Sequence, residues 1–100
     1  MLLLKTDGQG NEEWRKTFGY GVAFSIQQTV EGGFIVTGTG VGNDLLLLKT
    51  DGQGNEEWRQ TFGRGSGESV EQMVDGGFIV TGFDGEREVL LLKTDGQGNI

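Results

Sequence analysis

Asp7-Gly-Gln-Gly-Asn11 places oxygen-bearing side chains at its first, third and fifth positions, as the start of a calcium-binding loop does. Such a loop also requires glycine at position six and a bidentate glutamate at position twelve. This chain has Glu12 and Phe18 there. An aspartate heading a glycine-rich turn can instead accept hydrogen bonds from its own backbone, giving an Asx-type hairpin turn, and this reading is preferred to a metal site. The pairs Glu12–Glu13 and Glu56–Glu57 have the composition of acid–base catalysis. Catalytic carboxylates are not expected to be copied identically into successive repeats, and alternation across an outer strand explains the pairs. Trp14 and Trp58 have the chemistry of stacking platforms for a sugar or a base. Their identical repeat positions, each followed by Thr and Phe, favour a wedge between neighbouring units. Gly38-Thr-Gly-Val-Gly42 resembles a phosphate loop only in its glycines, since no Gly-Lys-Ser/Thr and no helix follow. The chain has no histidine and no cysteine, which removes the usual general base, the usual zinc ligand and the thiol nucleophile. No catalytic residue, cofactor or metal is expected.

The formal charge is −7 with only eight Lys and Arg, which argues against binding a nucleic-acid backbone and favours solubility. No apolar run is long enough for a membrane span, and no basic segment precedes an apolar one as in a signal peptide. Neither point assigns a compartment. Twenty glycines and no proline, spread at regular points, indicate frequent tight turns.

The elements that must position these residues follow from an internal repeat. Leu2–Arg15 returns as Leu46–Arg59, and its first ten residues return as Leu90–Asn99; Glu31–Gly38 recurs as Asp75–Gly82 with one Glu-to-Asp change. Within residues 1–100 the units are 2–45 and 46–89, with a partial third over 90–100. A fixed period of this length marks stacked units, none of which buries its apolar face alone. Each unit reads as four short strands. In the first these are Ser25–Thr29, Phe34–Thr37, Asp44–Lys49 and, after the Asp51–Asn55 turn, Glu57–Phe62, with Gly63–Gly67 closing the unit. The second repeats them at Ser69–Met73, Phe78–Thr81 and Val89–Lys93. Glycine interrupts every window long enough for a helix, so the fold class is all-β. The run Leu45–Leu48 is apolar at successive positions, hence apolar on both faces, and its sheet requires cover on both sides.

Four-stranded sheets that cover one another face to face describe a β-propeller. The run Ser25–Asp51 resembles the first three strands of a WD40-type blade, without that family's Gly-His and Trp-Asp dipeptides. Thr6–Trp14 and Thr50–Trp58 resemble the tryptophan-docking motif of quinoprotein-like propellers, with a turn one residue shorter. The resemblance implies antiparallel four-stranded blades, two per chain, with the polar Ser25–Thr29 strand innermost beside a wet channel and the Trp strand outermost. It implies no activity. A quinone-dependent dehydrogenase of this fold needs a dedicated cofactor and calcium constellation, and no residues here supply one.

Two blades leave two apolar outer faces bare, and soluble proteins rarely leave large apolar patches uncovered. The expected partner is the chain itself, in a head-to-tail ring of three or four copies. Inter-blade packing is assigned to Trp14, Trp58, Phe34, Phe78, Leu46, Leu48, Leu90 and Leu92. The duplicate segments Leu2–Asn11 and Leu90–Asn99 are two claimants for one strand position at each junction, of which one is expected to be displaced. A piece of a longer array, or a designed repeat, would carry such a duplication. Between the units 28 of 44 positions are identical, and ten of the 16 differences fall at 20, 22–24 and 39–44 and their counterparts. These loops are expected on one rim. Drift at unconstrained loops and a ligand-facing surface both produce that pattern. The functional reading is therefore a non-catalytic, self-assembling scaffold. The alternative is a module binding a peptide, glycan or small polar ligand on the rim or in the channel, through Tyr20, Phe24, Arg64, Phe83 and Arg87.

Overall fold

The computed structural model describes all 100 residues and is all-β, with 61% of residues in strands and no α-helix. Eight strands follow one another: β1 (Leu2–Thr6), β2 (Glu12–Thr17), β3 (Val22–Gln28), β4 (Phe34–Thr39), β5 (Asp44–Thr50), β6 (Glu56–Gln72), β7 (Phe78–Asp84) and β8 (Val89–Thr94). Strands β1 and β2 form a separate antiparallel hairpin, while β3 to β8 form one curled antiparallel sheet in sequential order. Every connection is a tight turn or short loop, as the spacing of turn residues requires.

The expected fourth strand of the first unit and first strand of the second are a single element. Strand β6 runs for 17 residues straight through Gly63–Gly67, where a unit boundary was expected. Its first half pairs with β5 through Leu46↔Thr61 to Lys49↔Trp58, and its second half pairs with β7 through Ser69↔Thr81 to Gln72↔Phe78. Gly63 and Gly65 carry φ of 80° and 155°, a region that L side chains avoid. The strand therefore bends there without ending, and the sheet curls. At the equivalent Gly19 and Gly21 the chain does break, between β2 and β3.

Curling brings the two halves of the sheet face to face. Ile35, Leu45 and Leu47 from β4 and β5 pack against Val70, Phe78 and Val80 from the later half, all buried, with Trp58, Phe62, Leu90 and Leu92 at the margin. On the opposite side of β4 and β5, Val36 and Leu48 pack with Phe18, Met1 and Leu3 of the N-terminal hairpin. Leu45–Leu48 are all at 2% exposure or less. The two-sided cover demanded by four successive leucines is supplied, and for this central strand it comes from within the chain.

Close approach of the halves depends on Gly67, at which an added Cβ would overlap Thr37 Oγ1. Thr37 is buried, and its hydroxyl donates to the Leu46 carbonyl at 2.8 Å. Gly67→Ala is expected to destabilise the fold by about 1–3 kcal/mol through overpacking. Adding Thr37→Ala should recover part of that loss, and chemical denaturation of the two single variants and the double variant checks the coupling.

Candidate functional site

The residues that hold one unit on the next form a repeated docking geometry. Trp14, on β2, reaches forward to Phe34 on β4, with ring centroids 5.9 Å apart and planes at 63°. One unit on, Trp58 meets Phe78 at 6.0 Å and 58°. Each indole also covers a glycine in the next Asp-Gly-Gln-Gly-Asn turn. A Cβ on Gly54 would lie 2.6 Å from the Trp14 ring, and one on Gly98 would lie 2.5 Å from the Trp58 ring. These glycines have φ of 82° and 81°, so turn geometry and tryptophan docking both select glycine. The third copy, Gly10, has φ of 89° and no atom within 4 Å of such a Cβ. Its dock is open.

The turn aspartates are occupied by their own turns. Asp51 Oδ1 accepts from the Gln53 and Asn55 amides at 2.9 Å each, and Oδ2 accepts from Asn55 Nδ2 at 3.2 Å. Asp7 and Asp95 head the same turn and accept the matching amide hydrogen bonds. Hydrogen bonds from Asn11, Asn55 and Asn99, followed by further bonds within each turn, hold all three carboxyls below the usual aspartate range. No three carboxylates converge as a cation site would need.

Above each turn sits a lysine. Lys49, with 6% of its side chain exposed, bridges Glu31 and Glu57 at 2.8 Å each. Desolvation pulls its pKa down, but the two carboxylates together outweigh that and hold it above the ordinary lysine value. Glu31 is lowered, first by its hydrogen bond from Lys49. The equivalents are half-built. Lys5 pairs with Glu13 alone, and Lys93 pairs with Asp75 alone at 3.3 Å. At the opposite side of the units, side chains reach across to backbone. Ser25 Oγ and Gln27 Oε1 accept from the amides of Val70 (3.4 Å) and Gln72 (2.8 Å), and Gln72 Oε1 accepts from Val30 N at 2.8 Å.

The residues assigned to unit packing are distributed as follows. Phe78, Leu46 and Leu48 are buried; Trp14, Trp58, Phe34, Leu90 and Leu92 are half-buried. Of the suggested ligand residues, Arg64 sits in a shallow depression with Thr39, Asn43, Ser66 and Gly85, beside the loops that differ between units. Phe83 pairs with Ser66 at that edge. Tyr20, Phe24 and Arg87 are exposed, with Arg87 at a φ of 66° in the β7–β8 loop. That depression does not gather the five into one pocket. The lysine bridges escaped sequence reasoning, and the resemblance to a tryptophan-docking motif left open which glycine each indole meets. The trace of those pairs was present in the 40-residue spacing of Trp14 to Gly54 and of Trp58 to Gly98, but assigning it required knowing which elements meet. Comparison with protein-family models and with curated proteins returns no match.

Gly54→Ala is expected to destabilise by about 2 kcal/mol or more, combining positive-φ strain with overlap of the indole. Gly10→Ala, with the same strain and no overlap, should cost only about 1 kcal/mol, and paired denaturation curves separate the two effects. The lowered aspartates stabilise the fold above their ordinary pKa, and that contribution is lost as pH falls through the folded values. Stability measured by denaturation should therefore hold between pH 7 and pH 5 and decline below about pH 4, with Asp51→Asn showing a shallower decline.

Proposed function

We propose that this chain is a non-catalytic β-propeller building block whose two bare ends are covered by further copies of itself, in a head-to-tail ring of three or four chains. One observation carries the reading. Positions that are buried in the middle of the chain are exposed at its ends. Leu46 and Leu48 are 2% and 0% exposed, whereas their repeats Leu2 and Leu4 are 53% and 46% exposed; Leu45 and Leu47 are fully buried, whereas Val89 and Leu91 are 81% and 68% exposed. The same side chains thus have a known mode of cover, seen once within the chain and lacking at each end.

Polar chemistry is complementary in the same sense. The cross-unit acceptors Ser25 and Gln27 have counterparts Ser69 and Glu71, and Gln72 has Gln28, so a second copy set one unit further on would meet equivalent partners. Heterologous contacts of this kind close into a ring when the rotation per unit permits. Two positions differ: Glu71 stands for Gln27 and keeps an acceptor oxygen, and the second is steric. Ala23 stands where Gly67 makes the close approach to Thr37, so its partner at a junction, Thr81, has to turn aside. The exposed Tyr20, Phe24 and Phe83 favour a second reading, in which the variable edge binds a peptide or glycan. Array binding that is lost in Phe24→Ala/Phe83→Ala while assembly persists would support it.

Native mass spectrometry at micromolar concentration is expected to give three or four times 10.8 kDa. Leu91→Glu should shift the population to single chains by placing a charge in the covered face. A wild-type chain that stays soluble and folded as a single copy at that concentration would overturn the assembly reading.

A further inference from the structure

Resting on that assembly reading, we infer that the junction between copies is a strand exchange: strand β2 of one copy pairs with the free edge of β8 of another, and its own β1 is released. The two claimants are chemically the same segment. Leu2–Asn11 and Leu90–Asn99 are identical, so β2 meets the same side chains on β8 that it meets on β1. Backbone hydrogen bonds lost with β1 are therefore regained with β8.

Their settings differ, and this selects which copy leaves. Strand β8 is the last strand of the six-stranded sheet, pairing with β7 from Phe78↔Thr94 to Phe83↔Val89. Thr94 is buried, Gly98 lies beneath Trp58, and Gln60 Nε2 donates to Asn99 Oδ1 at 3.2 Å. Strand β1 pairs with β2 alone, in a hairpin that no backbone ladder joins to the rest, and such two-stranded units are marginal. Release of β1 gives up an open glycine dock at Gly10; release of β8 would give up an occupied one at Gly98.

The exchange also completes one of the two half-built lysine bridges, while the other is dissolved as its lysine leaves with β1. Asp75 and Lys93 lack the carboxylate that Glu57 provides to Lys49, and an incoming β2 brings Glu13, which now holds Lys5. The pair becomes a carboxylate–lysine–carboxylate bridge like that of Glu31, Lys49 and Glu57. Leu91, exposed on β8, takes the place of Leu3 against Val36 and Leu48 of the incoming copy, and Leu90 and Leu92, packed within their own chain, take the positions that Leu2 and Leu4 leave bare. The shallow cavity lined by Asp75, Lys93, Asp95 and Asn99 is where that strand's first residues would lie.

Hydrogen exchange on the full-length wild-type assembly tests the exchange, with native mass measured on the same sample. In the assembly, amides of Leu2–Thr6 should be at least about tenfold less protected than those of Val89–Thr94. Lys93→Met should weaken assembly by about threefold or more, while Lys5→Met leaves it within about that factor. A multimeric mass with the protection reversed, or with both segments equally protected, overturns the strand exchange and leaves the ring standing. A single-chain mass overturns both.

Discussion

Strand β5 carries four leucines in succession, and a strand has only two faces on which to place them. Much else in the molecule is a consequence of covering both. The N-terminal hairpin lies over one face through Phe18, Met1 and Leu3; the curled-back second half of the sheet lies over the other through Val70, Phe78 and Val80. At about 25 cal/mol per Å² of apolar surface removed from water, such layers outweigh any single polar contact at the unit boundaries. The bend in β6 is the mechanical requirement of that cover, and Gly63, Gly65 and Gly67 are where the chain accommodates it.

Polar groups then fix register and orientation upon the apolar layers. The surface ion pairs Arg15–Glu12 and Arg59–Glu56 are solvent-exposed and contribute little. The Lys49 bridge differs because its ammonium is nearly buried while both carboxylates keep water on one side. That arrangement limits the desolvation that burdens fully buried ion pairs. Hydrogen bonds donated by β6 backbone amides to Ser25 and Gln27 set the spacing of the two polar strands, and the indole–glycine docks set the spacing on the far side. A wedge held at both edges has a defined angle, and a defined angle is what the proposed ring needs if identical junctions are to close on themselves.

The duplicated terminal segment gives that proposal its particular character. A junction in which a strand is replaced by its own copy changes neither side-chain chemistry nor hydrogen-bond number, so the preference comes from context: a strand embedded in a large sheet against one held in an isolated hairpin. Linkage of each copy to its own neighbour by a short turn keeps both at high effective concentration. Assembly and single chain then differ mainly in the apolar area covered, which makes the equilibrium depend on protein concentration.

Strands and turns were legible in the residues because their causes are local. Phe34–Thr37, Asp44–Lys49 and the Asp51–Asn55 turn stand within two residues of where β-branched and aromatic runs and Asx chemistry place them. The need for two-sided cover was equally readable from Leu45–Leu48. Three features were not. Gly63–Gly67 reads as a break yet is the bend of a continuous strand, since glycine permits both and only the packing partner chooses. Tryptophan docking was suggested by the motif, but that Trp14 docks on Gly54 and Trp58 on Gly98 was not, because each ring arrives from 40 residues away. Most plainly, Leu2–Leu4, Leu46–Leu48 and Leu90–Leu92 are the same letters with different burial. Identical sequence has identical local preference; what lies across each face is a property of the tertiary structure alone.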